Sequence, residues 1–169
     1  MYTRDVDKLA STEFTFTRFL VPHLNNFKGW AVFCDSDMVF LMDAVHLFDN
    51  LDPTLAVYCV QHDYNPPEGL KMDGQIQTQY PRKNWSSMMI FNCEHPSTQQ
   101  LTVERVNTAT GSYLHRFEWC DDSEIGVLDC SYNWLVGHYS EGTDGTPKIL
   151  HYTEAVSYTH LTLPTTSSV

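Results

Sequence analysis

The sequence predicts an α/β domain, and three observations carry that expectation. Short apolar runs, 30–34, 55–61 and 87–91, recur along the chain, and 148–152 reads as a final short strand. Segments with helical spacing or helix-capping signals lie between them. The first run ends on Asp35-Ser36-Asp37, a pair of acids at the carboxyl end of a strand, where open α/β sheets bind their ligands.

Each element follows from its own residues. Ser11 can cap a helix on which Phe16, Phe19, Leu20, His23, Leu24 and Phe27 fall at helical spacing, with Pro22 kinking or shortening it and Gly29 ending it. Trp30-Ala-Val-Phe-Cys34 is apolar without alternation, which fits a strand covered on both faces. Residues 43–50 read as a short helix with Asp43 near its start, and 55–61 as a second covered strand. Residues 62–86 are polar and proline-bearing, a connection long enough to be functional or mobile. A third strand follows at 87–91, then helices over 96–108 and 113–119. Asp121-Asp122 opens a turn, 126–139 hold a strand and a loop, and 148–152 form the last strand.

The chain has 169 residues, enough for one domain with a core. Its formal charge of -11, from 21 acids and 10 bases, repels phosphate backbones and anionic lipid, which argues against nucleic-acid or membrane-surface binding. An acidic protein that handles a phosphorylated ligand needs local positive charge, and a divalent cation supplies it. No apolar run approaches the roughly 20 residues of a membrane span. The five cysteines are widely spaced and form no C-x-x-C pair, as expected of buried thiols in a reducing, cytoplasmic compartment.

The Asp35-Ser36-Asp37 motif carries the chemistry. In extended chain, residues i and i+2 point the same way with Cα atoms about 6.6 Å apart. Two carboxylates facing one spot repel each other unless a cation lies near them, and hard oxygen ligands suit Mg²⁺ or Mn²⁺. Other readings use the same residues. Asp35 can simply cap the following segment while Asp37 is solvated. In a dehalogenase-like phosphatase, Asp35 would be the nucleophile, Asp37 the general acid, and Asp121-Asp122 the downstream metal-binding acids. A non-catalytic α/β binding domain would use neither.

Beyond this motif, Ala10–Pro22 followed by Gly29–Asp37 resembles bacterial glycosyltransferases related to glycosyltransferase family 8. Lys83–Asn92, Val106–Gly111, Trp119–Gly126 and Lys148–Thr153 resemble later blocks of the same group in the same order, so the resemblance covers roughly residues 2–154. It implies a GT-A fold, a mixed sheet flanked by helices. It also implies transfer of a hexosyl group from a nucleoside diphosphate sugar, UDP-hexose foremost, to a glycan or lipid-linked acceptor, in glycan or lipopolysaccharide synthesis. Asp35, Asp37 and His151 would hold Mn²⁺ or Mg²⁺. Arg18, Lys83, Asn84, Ser86, Ser87 and Lys148 would face the donor, and Asp121 or Asp122 the reacting centre. Lys148 and His151, three apart, point to opposite faces of an extended strand, so a shared site needs a bend there.

Both ends depart from the family pattern. The first β-α unit is expected to be lacking, and residues 156–169, rich in Thr and Ser, resemble translated adaptor sequence. The expected division is a partial catalytic domain over 1–155 and a non-native or disordered tail over 156–169.

Overall fold

A computed structural model describes residues 1–4, 14–62, 69–70, 76–77, 82 and 85–153. Lys83, Asn84, the Ser11 cap, much of the 62–86 connection and the tail lie outside the described residues.

The strands are β1 (Trp30–Cys34), β2 (Met38–Phe40), β3 (Val57–Val60), β4 (Gly69–Leu70), β5 (Ile76–Gln77), β6 (Met88–Asn92), β7 (Ile125–Leu128), β8 (Trp134–Leu135) and β9 (Ile149–His151). The α-helices are α1 (Phe14–Thr17), α2 (Val21–Leu24), α3 (Pro96–Gln99), α4 (Val103–Thr108), α5 (Gly111–His115) and α6 (Glu141–Asp144), with 3₁₀ turns between several of them.

Two sheets organise the molecule. The larger has the order β1-β6-β3-β7, antiparallel across its first two junctions and parallel between β3 and β7. The smaller has the order β2-β9-β8, with β2/β9 antiparallel and β8/β9 parallel. A separate ribbon pairs β4 with β5.

The missing alternation in β1 has a direct cause. Ala31 and Phe33 pack on a core built around Phe19, Phe91, Phe117 and Trp119. Trp30, Val32 and Cys34 pack on a second cluster with Leu47, Met88, Ile90 and Ile149. Successive side chains thus meet apolar matter on opposite faces. The same division sends Met89 and Phe91 of β6 to the first core, and Met88 and Ile90 to the second. Covered faces usually signal parallel pairing, yet β1 and β6 run antiparallel.

Helical expectations hold in place but break into shorter pieces. Pro22 stands in the first turn of α2, where its missing N–H costs no helical bond. The expected 96–108 helix is two helices, because the Thr102 hydroxyl caps α4 by accepting from Arg105 N–H at 3.2 Å. Thr110 caps α5 by accepting from Tyr113 N–H at 3.1 Å, and Phe117, at a φ of 57°, turns the chain soon after. All five cysteines are free thiols.

Candidate metal centre

Asp35 and Asp37 lie where the chain leaves the larger sheet at the end of β1 and enters the smaller one at β2. The β2/β9 register sets Met38 opposite His151, and Tyr152 N–H donates to the Asp37 carbonyl at 3.1 Å. Backbone pairing therefore carries a histidine from 114 residues beyond Asp37 to the acidic motif.

Among the described residues, Asp35, Asp37 and His151 form a group whose ligand atoms all lie within 4.8 Å of one another. His151 Nε2 is 3.4 Å from Asp37 Oδ1, with the imidazole almost wholly buried and the Asp37 side chain 44% exposed. The set thus has a buried ligand as its base and an accessible one at its mouth.

The two carboxylates differ electrostatically. Burial raises the Asp35 carboxyl above the ordinary carboxylate range, and neighbouring Asp37 adds to this, despite the lowering effect of the Arg18 guanidinium. Asp37 is lowered, first by its hydrogen bond to His151. Two oxygen donors and one imidazole nitrogen, with one carboxylate poorly solvated, suit a divalent cation such as Mn²⁺ or Mg²⁺.

Arg18 reaches this site from the 3₁₀ turn between α1 and α2. Its Nη2 pairs with Asp35 Oδ1 at 3.0 Å, and its Nη1 donates to the Ser86 carbonyl at 2.9 Å. The guanidinium carbon also lies 4.7 Å from the centre of the Phe33 ring. Arg18 is thus a buried tether on a ligand carboxylate.

The remaining expected site residues are spread more widely. Ser86 and Ser87 are buried, with the Ser86 hydroxyl 2.7 Å from His115 Nδ1 and the Ser87 hydroxyl accepting from Asn133 Nδ2 at 2.9 Å. Lys148 precedes β9, and its ammonium rests on Tyr132, 3.0 Å from the hydroxyl and 4.2 Å from the ring centre. Asp121 precedes a 3₁₀ turn and its N–H donates to the Glu124 carboxylate at 3.0 Å. Asp122 accepts from Arg82 at 2.5 Å with its own side chain 82% exposed. Neither acid belongs to the metal-ligand group.

One residue absent from the sequence expectations adjoins the centre, and another lies near enough to His151 to feel its charge. Asn133 Oδ1 lies 2.8 Å from His151 Nδ1. His62, buried just beyond β3, has Nδ1 2.8 Å from the Tyr139 hydroxyl and stacks on that ring. The only signal for Asn133 in the sequence is a carboxamide set among apolar and aromatic neighbours, Tyr132 and Trp134-Leu135.

His62 and His115 make acid lability predictable. Burial pushes each imidazole down to about 4, with His151 adding to the effect at His62 and Arg18 at His115. Both are neutral in the folded chain at neutral pH, whereas the unfolded chain takes up their protons near 6.5. Their contribution is therefore complete above about pH 6.5 and is lost as pH falls toward 4. At about 1.4 kcal/mol per pKa unit, the loss is on the order of a few kcal/mol. Urea midpoints should drop between pH 7 and pH 4.5, and His62→Gln should flatten that drop. An unchanged slope in the variant would rule out His62 as a source.

No family model matches the sequence. Protein CDI of Arabidopsis thaliana is 50% identical over 156 residues, covering 90% of this chain and 60% of that protein. The chain therefore spans about three fifths of the length of this curated relative. The apo bifunctional glycosyltransferase WbbM superposes with a TM-score of 0.57 at 18% identity, over 86% of this chain and 32% of that one. The apo form of the glycosyltransferase GlyE from Streptococcus pneumoniae TIGR4 gives 0.52 at 17% identity, over 88% and 39%. The curated relative is a plant protein, and these structural neighbours do not bear on family 8 or on a bacterial source. Among the described residues no helix is long and apolar enough to cross a membrane. Likeness at this level of identity speaks to architecture, and the architecture is a mixed α/β fold of the GT-A glycosyltransferase type.

Proposed function

We propose that the protein to which this chain belongs transfers a hexosyl group from a nucleoside diphosphate sugar, UDP-hexose foremost, to an acceptor hydroxyl on a glycan or lipid-linked acceptor. The observation that carries the reading is the convergence of Asp35, Asp37 and His151 at the crossing between the two sheets. Asp35, Asp37 and His151 Nε2 would hold Mn²⁺ or Mg²⁺. When bound, that cation supplies Lewis-acid neutralisation of charge on the departing diphosphate.

The chain's own residues give the site its order. Arg18 fixes one Asp35 oxygen and leaves the carboxylate's second oxygen available as a ligand. Asp37, the more exposed acid, borders the solvent side where a donor would enter. Lys148 is a long, exposed cation one strand-end from His151, suited to meet a diphosphate on leaving Tyr132. The same reading gives Lys83 and Asn84 to the donor, with Ser86 and Ser87 in the buried wall behind the metal ligands. It gives Asp121 or Asp122 to the sugar hydroxyls near the reacting centre. Pathway assignment to lipopolysaccharide or another glycan rests on the family resemblance alone.

The phosphatase reading needs Asp121 or Asp122 as the third member of the cluster, and the grouping of His151 with Asp35 and Asp37 supports the transferase reading over it. Hydrolysis of a panel of UDP- and GDP-hexoses discriminates the two. The transferase reading expects Mn²⁺-dependent release of nucleoside diphosphate that EDTA abolishes. Hydrolysis of phosphomonoesters in place of nucleotide sugars would contradict it.

A further inference from the structure

One buried turn, Trp85–Ser87, holds both ends of the candidate metal centre. The Ser87 carbonyl accepts from Asp35 N–H at 2.8 Å, and the Ser86 carbonyl accepts from Arg18, which in turn grips the Asp35 carboxylate. On the other side, the Ser87 hydroxyl accepts from Asn133 Nδ2 at 2.9 Å, and Asn133 Oδ1 meets His151 Nδ1 at 2.8 Å. Ser87, Asn133 and His151 are all buried, Asn133 completely.

This chain constrains the imidazole. A primary amide offers two N–H donors on one atom and acceptor lone pairs on the other. With its nitrogen directed at Ser87, Asn133 turns its carbonyl oxygen to His151, an orientation that calls for the proton on His151 Nδ1. In the neutral ring the other nitrogen, Nε2, then faces Asp37 with its lone pair open to a cation, in place of the hydrogen bond to Asp37 that a protonated ring makes. We propose that Asn133, anchored by Ser87, is the positioning residue that fixes His151 in the Nδ1-protonated tautomer and so directs Nε2 into the metal centre. The inference rests on the metal reading given under Proposed function.

Asn133 stands at the end of the 3₁₀ turn Cys130–Asn133, which Asp129 caps by accepting from Ser131 N–H at 3.0 Å. The Ser131 carbonyl accepts from Lys148 N–H at 2.8 Å, which ties this turn to the start of β9. Asn133 and His151 are therefore held by backbone as well as by their own contact.

The test has a metal-free arm and a metal arm on the 169-residue chain. In mildly alkaline, metal-free buffer, long-range proton–nitrogen NMR reads the His151 tautomer, with His151→Gln assigning the signal. Wild type and Asn133→Asp should show Nδ1 protonated, and Asn133→Leu should shift to Nε2. Mn²⁺ titration by electron paramagnetic resonance should find Asn133→Leu roughly tenfold to hundredfold weaker than wild type, and Asn133→Asp close to wild type. If Asn133→Leu does not fold, Ser87→Ala carries the test, with mixed tautomers and several-fold weaker Mn²⁺ binding expected. A wild-type His151 protonated at Nε2 overturns the inference. So does equal Mn²⁺ affinity in wild type and Asn133→Leu, or an unchanged Ser87→Ala. The expected tautomer with no Mn²⁺ binding in wild type removes the metal reading, and the positioning role falls with it.

Discussion

Asp37→Ala should lower Mn²⁺ affinity by about a hundredfold or more while leaving the fold almost as stable as wild type. The two effects separate because of where Asp37 sits. Its side chain is partly exposed, and its contact with His151 Nε2 at 3.4 Å is an ion pair only when the imidazole is protonated and is then screened by solvent on one side. Such pairs are worth about 0–1 kcal/mol to folding. As a ligand it is worth far more, since outer-shell partners alone cost about 10–100-fold in affinity when removed. Asp35 and His151 would remain, giving one carboxylate and one imidazole. Calorimetric titration with Mn²⁺ beside a thermal melt checks both halves. A large drop in melting temperature with unchanged Mn²⁺ affinity would show Asp37 to be structural.

Arg18→Leu should have the opposite profile, with stability falling by about 2–3 kcal/mol. Removing one partner of a buried pair leaves an uncompensated charge, at a typical cost of about 3–5 kcal/mol. The smaller figure applies here because the Asp35 side chain keeps 28% of its exposure, against 10% for Arg18. The substitution also orphans the Ser86 carbonyl, which accepts from Nη1 at 2.9 Å. Asp35 is already raised by burial, and losing Arg18 removes the largest effect that lowers it. Its carboxyl would then protonate at still higher pH, so Mn²⁺ binding would weaken more steeply in mild acid. Asp35→Asn should recover part of the stability in the double variant, because the neutral amide needs no counter-charge. Urea denaturation of the four-member cycle measures this, and simple additivity would deny a coupling between Arg18 and Asp35.

The strands that the sequence makes plain are those whose residues alone define them. Trp30–Cys34 and residues 88–91 are apolar on both faces because two cores enclose them, and that leaves a mark at every position. Met38–Phe40 leaves none. Three residues with Val39 exposed become a strand only through β9, whose pairing is a long-range event invisible to local pattern. The 96–108 helix was legible as helical, while its restart at Thr102 depends on a single hydroxyl.

The metal centre divides in the same way. Asp35 and Asp37 announce themselves by position at the end of an apolar run. His151 is one histidine among eight, and only the family resemblance singles it out in the sequence. Its approach to the acids follows from β2/β9 register. Arg18 is likewise singled out only by the resemblance, and there as a donor contact rather than a partner of Asp35, while Asn133 is not visible at all, since it acts by side-chain contact with a residue 18 positions away on another element.

Asp35, Asp37 and His151 are expected to bind a divalent cation together. Crystals of the protein soaked in Mn²⁺, with data collected at the manganese edge, test it most directly. An anomalous peak is expected about 2.1 Å from an oxygen of each carboxylate and from His151 Nε2. A well-soaked crystal with no peak at these three residues, or with manganese held by other groups, would contradict it.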